Sequence, residues 1–247
     1  MTGLTEALAT LAGVPRLLVA MDFDGVLAPI VEVPSAARPL PAAAAAIGKL
    51  ATLPDTTVAL LSGRGLADLA AVSEFGAPVR MVGSHGGEFD DGATLLDDAQ
   101  AALRVRVATE LESIVAGEPG VALEQKPAGV AVHVRNAAPD VGARVLDTVR
   151  AGPASWEGVE ATAGKAVLDL AVVKVNKGGA LDTLREQVVA DAVLFAGDDV
   201  TDETAFARLR PGDVGVKVGE GETAAMYRVA GPPDVALLLE RLLALRA

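Results

Sequence analysis

The feature that most constrains the fold of this chain is an alternation of short apolar runs with longer alanine- and leucine-rich segments. Five apolar runs have the length and composition of buried strands, at 16–21, 56–61, 79–83, 192–197 and 214–218. Segments with helical character separate them, at 41–53, 65–73, 178–189 and 201–210. Continuous apolar strands joined by helices are typical of a parallel sheet covered on both faces. The sequence therefore predicts an α/β fold with a doubly wound parallel-sheet core.

The middle of the chain departs from this alternation. A helical stretch is followed by a hairpin pair of strands, a second helix and two further strand-like runs, at 98–116, 120–127, 129–135, 139–152, 156–164 and 165–172. This αββαββ order predicts a smaller α/β cap domain inserted into the core. We place the first part of the core at 1–94, the inserted domain at 95–173 and the second part of the core at 174–247.

Composition limits the partners and the chemistry. A formal net charge of −12 argues against nucleic acid and anionic membranes, because both bind basic surfaces. The absence of cysteine excludes disulfides, thiolate metal sites and cysteine nucleophiles. The N-terminal segment does not resemble a signal peptide, and no apolar run is long enough to span a membrane. We therefore expect a cytoplasmic protein, and the sequence does not indicate its oligomeric state.

Polar groups follow three of the predicted strands at the points where those strands end. They are Asp22, Asp24, Ser62, Asp198, Asp199, Asp202 and Glu203. In open α/β sheets ligands bind at the carboxyl ends of the strands. Acids gathered at one edge repel each other unless a cation is present, and Mg²⁺ suits a site of carboxylates, water and phosphate. The sequence therefore predicts a magnesium and phosphate site.

Taken singly, an aspartate after a strand is often only a helix N-cap or a turn residue. Here four segments occur together, DFDG at 22–25, SGR at 62–64, NKGG at 176–179 and GDDVTDE at 197–203. In this order they resemble the four motifs of haloacid-dehalogenase-type phosphatases.

That resemblance implies a role for each motif. Asp22 is the nucleophile, Asp24 is the general acid and base, and Ser62 and Lys177 contact the phosphoryl oxygens. Mg²⁺ is held by Asp22, the Asp24 carbonyl and Asp198. We expect two further acids to orient the water ligands of the metal rather than to bind it. These acids are Asp199 and Asp202.

These roles agree with the chemistry of phosphate esters. Hydrolysis of a phosphate monoester is among the slowest uncatalysed reactions, and an aspartyl-phosphate intermediate divides it into two easier steps. Asp22 attacks as a carboxylate that needs no deprotonation. Asp24 can protonate the leaving oxygen and then activate water, while Lys177 and Mg²⁺ offset the charge of the transferred group.

The inserted domain lies between the second and third motifs, as in sugar-phosphate members of this family. Segments at 83–89, 123–136, 164–170 and 201–203 are similar to those of trehalose-6-phosphate phosphatases. The resemblance implies hydrolysis of trehalose 6-phosphate to trehalose and phosphate, with Glu124, Lys126 and Asp169 contacting the sugar. A second set of candidate substrate contacts comprises Arg64, His85, His133, Arg135, Lys165 and Glu203.

Several alternatives stay open at this point. Asp169 stands where the subfamily usually carries Glu, and Val134 replaces a Tyr, so another disaccharide-like, cyclitol or hexose phosphate is an alternative substrate. Glu124 and Lys126 could instead form a solvated strand face, and His133 could be a structural histidine. A phosphomutase would need a second phosphate site, which no motif suggests. A receiver domain would be about half as long, and four intact motifs argue against an inactive binding protein.

Overall fold

The computed structural model describes residues 2–92, 96–164, 166–173 and 175–247. The chain divides into two compact units. The first unit comprises Met1–Ala93 and Asn176–Ala247, and the second comprises Thr94–Val175. The second unit covers the stretch in which the sequence predicts an inserted domain.

The described residues form the following strands and helices. The strands are β1 (Leu17–Met21), β2 (Thr56–Leu61), β3 (Arg80–Gly83), β4 (Glu88–Phe89), β5 (Ala122–Lys126), β6 (Gly129–His133), β7 (Glu160–Gly164), β8 (Val167–Ala171), β9 (Ala192–Gly197), β10 (Val214–Val218) and β11 (Tyr227–Val229). The helices are α1 (Thr2–Ala12), α2 (Pro41–Leu50), α3 (Leu66–Ser73), α4 (Asp98–Val115), α5 (Pro139–Ala151), α6 (Lys177–Gln187), α7 (Glu203–Phe206) and α8 (Pro232–Arg246).

The first unit is built on a seven-stranded sheet in the order β11-β10-β9-β1-β2-β3-β4. Neighbouring strands are parallel except at the β3–β4 edge, which is antiparallel. Every residue of β1, β9 and β10 is buried, because helices cover both faces of a sheet of this kind. The predicted α/β fold with a parallel-sheet core is confirmed.

Helices α1, α2 and α8 pack on the sheet of the first unit through apolar side chains. Leu11, Ile47 and Leu239 belong to one buried cluster with Val19 of β1. Neither 2–12 nor 232–246 was predicted as a helix from the sequence. In the last turn of α8, the Arg246 guanidinium donates to the Thr56 hydroxyl and to four backbone carbonyl groups, those of Ala12, Val14, Pro15 and Asp55.

The helix predicted at 201–210 is wrong in its extent, since only Glu203–Phe206 is helical. The Asp202 side chain accepts from the backbone N–H groups of two preceding residues, which holds 198–202 as a loop. At the other end the Arg210 N–H donates to Asp213 instead of continuing the helix. The strands β4 and β11 were not predicted, because runs of two and three residues carry too little pattern.

The second unit is a four-stranded antiparallel sheet in the order β5-β6-β8-β7. One face packs on α4 and α5, where Val130, Val132 and Leu170 share a buried cluster with Val107 and Val145. Alternation along the strands leaves the polar side chains on the other face. A capping box of Asp97 and Gln100 begins α4.

No helix in the described part of the chain combines the length and the apolar character needed to cross a bilayer.

Candidate active site

Side chains that follow β1, β2 and β9 line one cleft of about 580 Å³ in the first unit. The predicted site residues that line it are Asp22, Asp24, Ser62, Arg64, His85, Lys177, Asp198 and Asp199. The cleft forms at the carboxyl ends of parallel strands, where ligands bind in open α/β sheets. Ile30 and Pro34 add apolar contacts at its edge.

A buried ion-pair network lies at the base of this cleft. The Lys177 Nζ is 2.9 Å from Asp22 Oδ2 and 2.7 Å from Asp202 Oδ1. Lys177 is 2% exposed and Asp202 is fully buried. Lys177 is the first residue of α6, and Asn176 caps that helix by accepting from the Gly179 N–H. The capped helix start therefore fixes the backbone from which Lys177 reaches the acids.

Burial and the neighbouring opposite charges shift the pKa values of Asp22 and Lys177 in opposite directions. Burial raises the pKa of Asp22 to about 8, although the Lys177 ammonium opposes the rise. Burial lowers the pKa of Lys177, but Asp22 and Asp202 outweigh it and hold that pKa above its usual range. Lys177 therefore stays positively charged, and added positive charge beside Asp22 would favour its carboxylate form.

Asp202 shapes the loop that follows β9. Its Oδ2 accepts from the backbone N–H groups of Asp198 and Asp199, each at 3.0 Å. A Cβ at Gly197 would lie 2.3 Å from the Asp202 carboxyl carbon, so only glycine allows this approach. Because the Asp202 oxygens already accept from Lys177 and from the loop, Asp202 holds other groups in place.

An acidic cluster in the cleft has the donor set of a divalent-cation site. Carboxylate oxygens of Asp22, Asp198 and Asp202 lie within 4.8 Å of one another. Burial raises the pKa of Asp198, and Asp202 adds to the rise. A Cβ at Gly25, where φ is +77°, would lie 2.0 Å from Asp198 Oδ2, so the loop after β1 closely approaches that acid. Oxygen donors at this spacing suit a hard cation, and Asp22 and Asp198 are the acids best placed to hold it.

Arg64 is bound by protein groups in this structure. Its Nε lies 2.6 Å from Asp24 Oδ2 and its Nη2 lies 2.8 Å from Asp24 Oδ1. Its Nη1 donates to Asp68 at 2.7 Å, and the guanidinium lies 5.8 Å from the centre of the Phe23 ring. Hydrogen bonding to Asp24 raises the pKa of Arg64 above its usual range. The sequence predicted a sugar contact here, whereas the structure places Arg64 against the predicted acid and base.

Ser62 and His85 lie on adjoining loops. Ser62 is 2% exposed, and its hydroxyl oxygen accepts from the Arg64 backbone N–H at 3.2 Å. The His85 backbone N–H donates to the Ser62 carbonyl, and a Cβ at Gly63 would lie 2.5 Å from the His85 ring. Burial lowers the pKa of His85, and Lys177 lowers it further. A neutral imidazole beside the cleft can both donate and accept hydrogen bonds.

Lys217 is a buried cation that sequence reasoning missed. It is 4% exposed on β10, opposite Gly197 of β9, and its ammonium donates to the Asp198 backbone carbonyl. The run at 214–218 was interpreted only as an apolar strand. A lysine inside such a run was the available signal, because lysine is rarely buried without a partner.

The predicted sugar contacts of the second unit meet in two pairs on its polar sheet face. Lys126 forms an ion pair with Asp169, and the His133 Nε2 lies 2.8 Å from Glu124 Oε2. Strand pairing aligns Glu124, Ala131 and Asp169 across β5, β6 and β8, which places both acids on the same face. The sequence left His133 open as a sugar contact or a structural histidine, and it did not predict the contact with Glu124.

Three further predicted contacts remain, of which the structure describes two. Arg135 lies in an exposed turn after β6, and Lys165 lies outside the described residues. Glu203 does not line the cleft. Its Oε2 accepts from the Ala224 N–H at 2.8 Å, and its buried Oε1 has no hydrogen-bond partner among the described residues.

Comparisons with known proteins agree on one family. The family model for trehalose-phosphatase matches residues 20–233. The trehalose-phosphate phosphatase of Mycobacterium marinum is 38% identical over 246 residues, which are 93% of this chain and 62% of that protein. The corresponding Mycobacterium leprae protein is 36% identical over 271 residues, with 98% of this chain and 62% of that protein covered. The chain thus spans less than two thirds of the length of these relatives.

The chain is also similar to solved structures. The trehalose-6-phosphate phosphatase of Aspergillus fumigatus (crystal form 3) superposes with a TM-score of 0.69 at 27% identity, covering 98% of this chain and 97% of that one. A haloacid dehalogenase-like hydrolase from Bacteroides thetaiotaomicron superposes with a TM-score of 0.59 at 17% identity, covering 92% and 99%. At that identity the second likeness concerns the fold alone.

Proposed function

Because the chain belongs to the trehalose-phosphatase family, we propose that it hydrolyses trehalose 6-phosphate to trehalose and inorganic phosphate. The family match confirms the resemblance drawn from the four motifs. The observation that carries the proposed chemistry is the cleft in which Asp22, Lys177 and Asp198 meet at the ends of β1 and β9. Phosphoryl transfer needs a nucleophile and positive charge beside the phosphoryl oxygens. Asp22 offers a carboxylate nucleophile, Lys177 offers a buried ammonium, and Asp198 offers a further carboxylate.

In the first step a carboxylate oxygen of Asp22 attacks the phosphorus atom. The bond between phosphorus and the sugar oxygen breaks, and Asp24 gives a proton to that oxygen. Lys177 and the Ser62 hydroxyl contact the phosphoryl oxygens, which carry the charge of the transferred group. Trehalose leaves, and the phosphoryl group stays on Asp22.

In the second step water attacks the phosphorus atom of the aspartyl phosphate. Asp24, now a carboxylate, accepts the proton of that water, and the bond between Asp22 and phosphorus breaks. Inorganic phosphate is released, and Asp24 again carries the proton that the next turnover needs.

We propose Mg²⁺ as the cofactor of this site. Asp22 and Asp198 would hold the ion, and the Asp24 carbonyl stays a proposed third ligand. When bound, the ion supplies positive charge next to the phosphoryl oxygens. The carboxylate donors support this choice, because Mg²⁺ binds through one or two carboxylates together with waters and substrate phosphate.

The second unit is proposed as the cap domain that recognises the sugar. Glu124, Lys126 and Asp169 offer charged hydrogen-bonding groups on one sheet face, and hydroxyl-rich rings bind such groups well. The side chain of Asp169 is one carbon shorter than that of the Glu that the subfamily usually carries at this position. Another disaccharide-like, cyclitol or hexose phosphate therefore remains an alternative substrate to be tested. A sugar phosphate is charged and does not cross membranes unaided, and we propose that the enzyme acts on it in the cytoplasm.

A panel of phosphate esters tests the proposed substrate. Phosphate release is measured with Mg²⁺ for trehalose 6-phosphate, sucrose phosphate, glucose 6-phosphate, inositol phosphates and p-nitrophenyl phosphate. We expect kcat/KM for trehalose 6-phosphate to exceed that of the other sugars by at least about tenfold, the value of one well-formed polar contact. Preference for the phosphate of another sugar would overturn trehalose 6-phosphate as the proposed substrate but would not contradict the proposed phosphatase chemistry.

A further inference from the structure

We propose that Arg64 is a positioning residue that holds the carboxylate of Asp24 and acts on the reaction only through it. This inference rests on the proposed function, which makes Asp24 the acid and the base. It replaces the sugar contact that the sequence predicted for Arg64.

The contact between the two side chains is made at two points. The Nε and Nη2 atoms of Arg64 donate to the two carboxylate oxygens of Asp24, at 2.6 and 2.8 Å. Two parallel bonds of this kind fix the plane of a carboxylate as well as its distance. The Asp24 side chain is 32% exposed, so without Arg64 little would restrain its rotation into the cleft.

Arg64 is itself held from several directions. Its side chain is 10% exposed, with Asp68 on one side and the Phe23 ring within 5.8 Å. Its Nη2 also donates to the Pro34 carbonyl at 2.9 Å. Counting Asp24, four of the five guanidinium N–H groups donate to protein groups among the described residues. A guanidinium engaged in this way is a support for Asp24 and has little capacity left for a sugar.

The second chemical step depends most on this support. Water attacks the aspartyl phosphate only if an oxygen of Asp24 is aimed at its proton. A carboxylate held at two points presents its free lone pairs in fixed directions. Loss of Arg64 should therefore slow the decay of the phosphorylated enzyme, in which Asp24 serves as the base.

The test uses p-nitrophenyl phosphate, whose leaving group needs little protonation. In the Arg64→Met variant we expect phosphoenzyme decay to slow about tenfold to hundredfold, the range for a lost charged hydrogen bond. The first-turnover release of p-nitrophenol should change much less, so phosphoenzyme should accumulate as a burst. The matched control is Arg38→Met, which removes an exposed arginine paired with Glu74. Equal slowing of both steps, or no accumulation, would overturn the proposal.

A double-mutant cycle separates support of Asp24 from direct contact with substrate. Added to Asp24→Asn, the Arg64→Met change should slow phosphoenzyme decay by less than about twofold, because residues that act as one unit are not additive. Losses that multiply would show that Arg64 acts independently of Asp24 and would overturn the proposal.

Arg64→Lys provides a second variant that keeps the charge but cannot bind two oxygens in parallel. We expect phosphoenzyme decay to remain slow in this variant. Full recovery of the wild-type decay rate would show that a positive charge at this position suffices without the two parallel hydrogen bonds. Circular dichroism and Tm identify any variant that fails to fold. If Arg64→Met fails to fold, the phosphoenzyme decay rate of Arg64→Lys tests the proposal instead. Because the small ester does not depend on the sugar, a wrong trehalose assignment leaves this test intact. A wild-type protein that hydrolyses neither ester would overturn both proposals.

Discussion

At the scale of single residues, Asp22 combines a buried position with a proposed role, that of nucleophile, which requires a charged carboxylate. It is 5% exposed and lies beside the Lys177 ammonium. Asp22→Asn should therefore fold normally but show no measurable phosphate release with any ester, because an amide cannot form the acyl phosphate. Asp140→Asn, on the exposed start of α5, is the control. Turnover at the wild-type rate in Asp22→Asn would remove Asp22 as the nucleophile.

Asp202 contributes to stability as well as to the site. It is fully buried and accepts from Lys177 and from two backbone N–H groups. Asp202→Asn leaves Lys177 short of a charged partner and should lower the free energy of unfolding by about 3–5 kcal/mol. Asp199→Asn, on the same loop but exposed, should cost less than about 1 kcal/mol. Urea denaturation of both variants checks the difference, and equal losses would contradict it.

Residue identity along the chain predicted most of the groups that meet in the cleft, because motifs at strand ends converge when the strands are parallel. It did not predict partners that come from distant loops. Arg64 was predicted only as a candidate substrate contact, and nothing in the local sequence shows that Asp24 and Pro34 lie within its reach. Contacts of this kind depend on tertiary packing and carry no local pattern.

At the scale of elements, α6 is tied to the sheet by a buried ion pair. Arg185 of α6 pairs with Asp213, which also accepts from the Val193 N–H at the start of β9. Arg185→Met leaves Asp213 buried without its cation and should lower the free energy of unfolding by about 3–5 kcal/mol. Arg16→Met, which breaks an exposed pair with Asp191, should lower the free energy of unfolding far less, because solvent screens that pair. Thermal or urea unfolding separates the two, and a similar small loss in both would contradict the assignment.

Glu124, on the antiparallel sheet of the second unit, allows the proposed sugar contact to be tested separately from the phosphatase chemistry. Glu124→Ala should raise KM for trehalose 6-phosphate and lower kcat/KM at least about tenfold, as expected for one charged hydrogen bond. Hydrolysis of p-nitrophenyl phosphate should stay near wild type, since the small ester has no distal sugar. Glu110→Ala, on α4, is the control. If both substrates lose activity alike, the proposed sugar contact is wrong.

Element prediction succeeded where burial imposes a uniform pattern. The runs at 56–61, 192–197 and 214–218 form strands with those bounds, because strands buried on both faces are continuously apolar. The helix after β9 was predicted too long, since side-chain bonds from Asp202 and Asp213 replace backbone helix bonds at its two ends. Such competition between side chain and backbone is not visible in helical periodicity.

At the scale of the whole molecule, the excess of acids leads us to expect that a divalent cation stabilises the fold. The formal net charge is −12, and three acids converge in the cleft. Removing the cation with EDTA should abolish phosphate release, and restoring Mg²⁺ should raise Tm. A ligand at about a hundred times its Kd stabilises the folded state by about 2.7 kcal/mol. Asp198→Asn should lose most of the Tm increase, whereas full activity without metal would exclude the proposed cofactor.

The position of β1 in the sheet has a consequence for the order in which a newly made chain can fold. Leu17 pairs with Thr56 on one side but with Ala192 on the other, so the central strand must wait for a partner synthesised much later. In the second unit β5 pairs with β6 and β7 with β8, and the remaining pair, β6 with β8, also lies within that unit, so its sheet needs no strand made after Ala171. During synthesis the second unit can therefore fold while the sheet of the first unit is still incomplete. Asp22 has no Lys177 beside it until α6 has emerged, and the cleft is complete only when Asp198 and Asp199, which follow β9, have emerged as well.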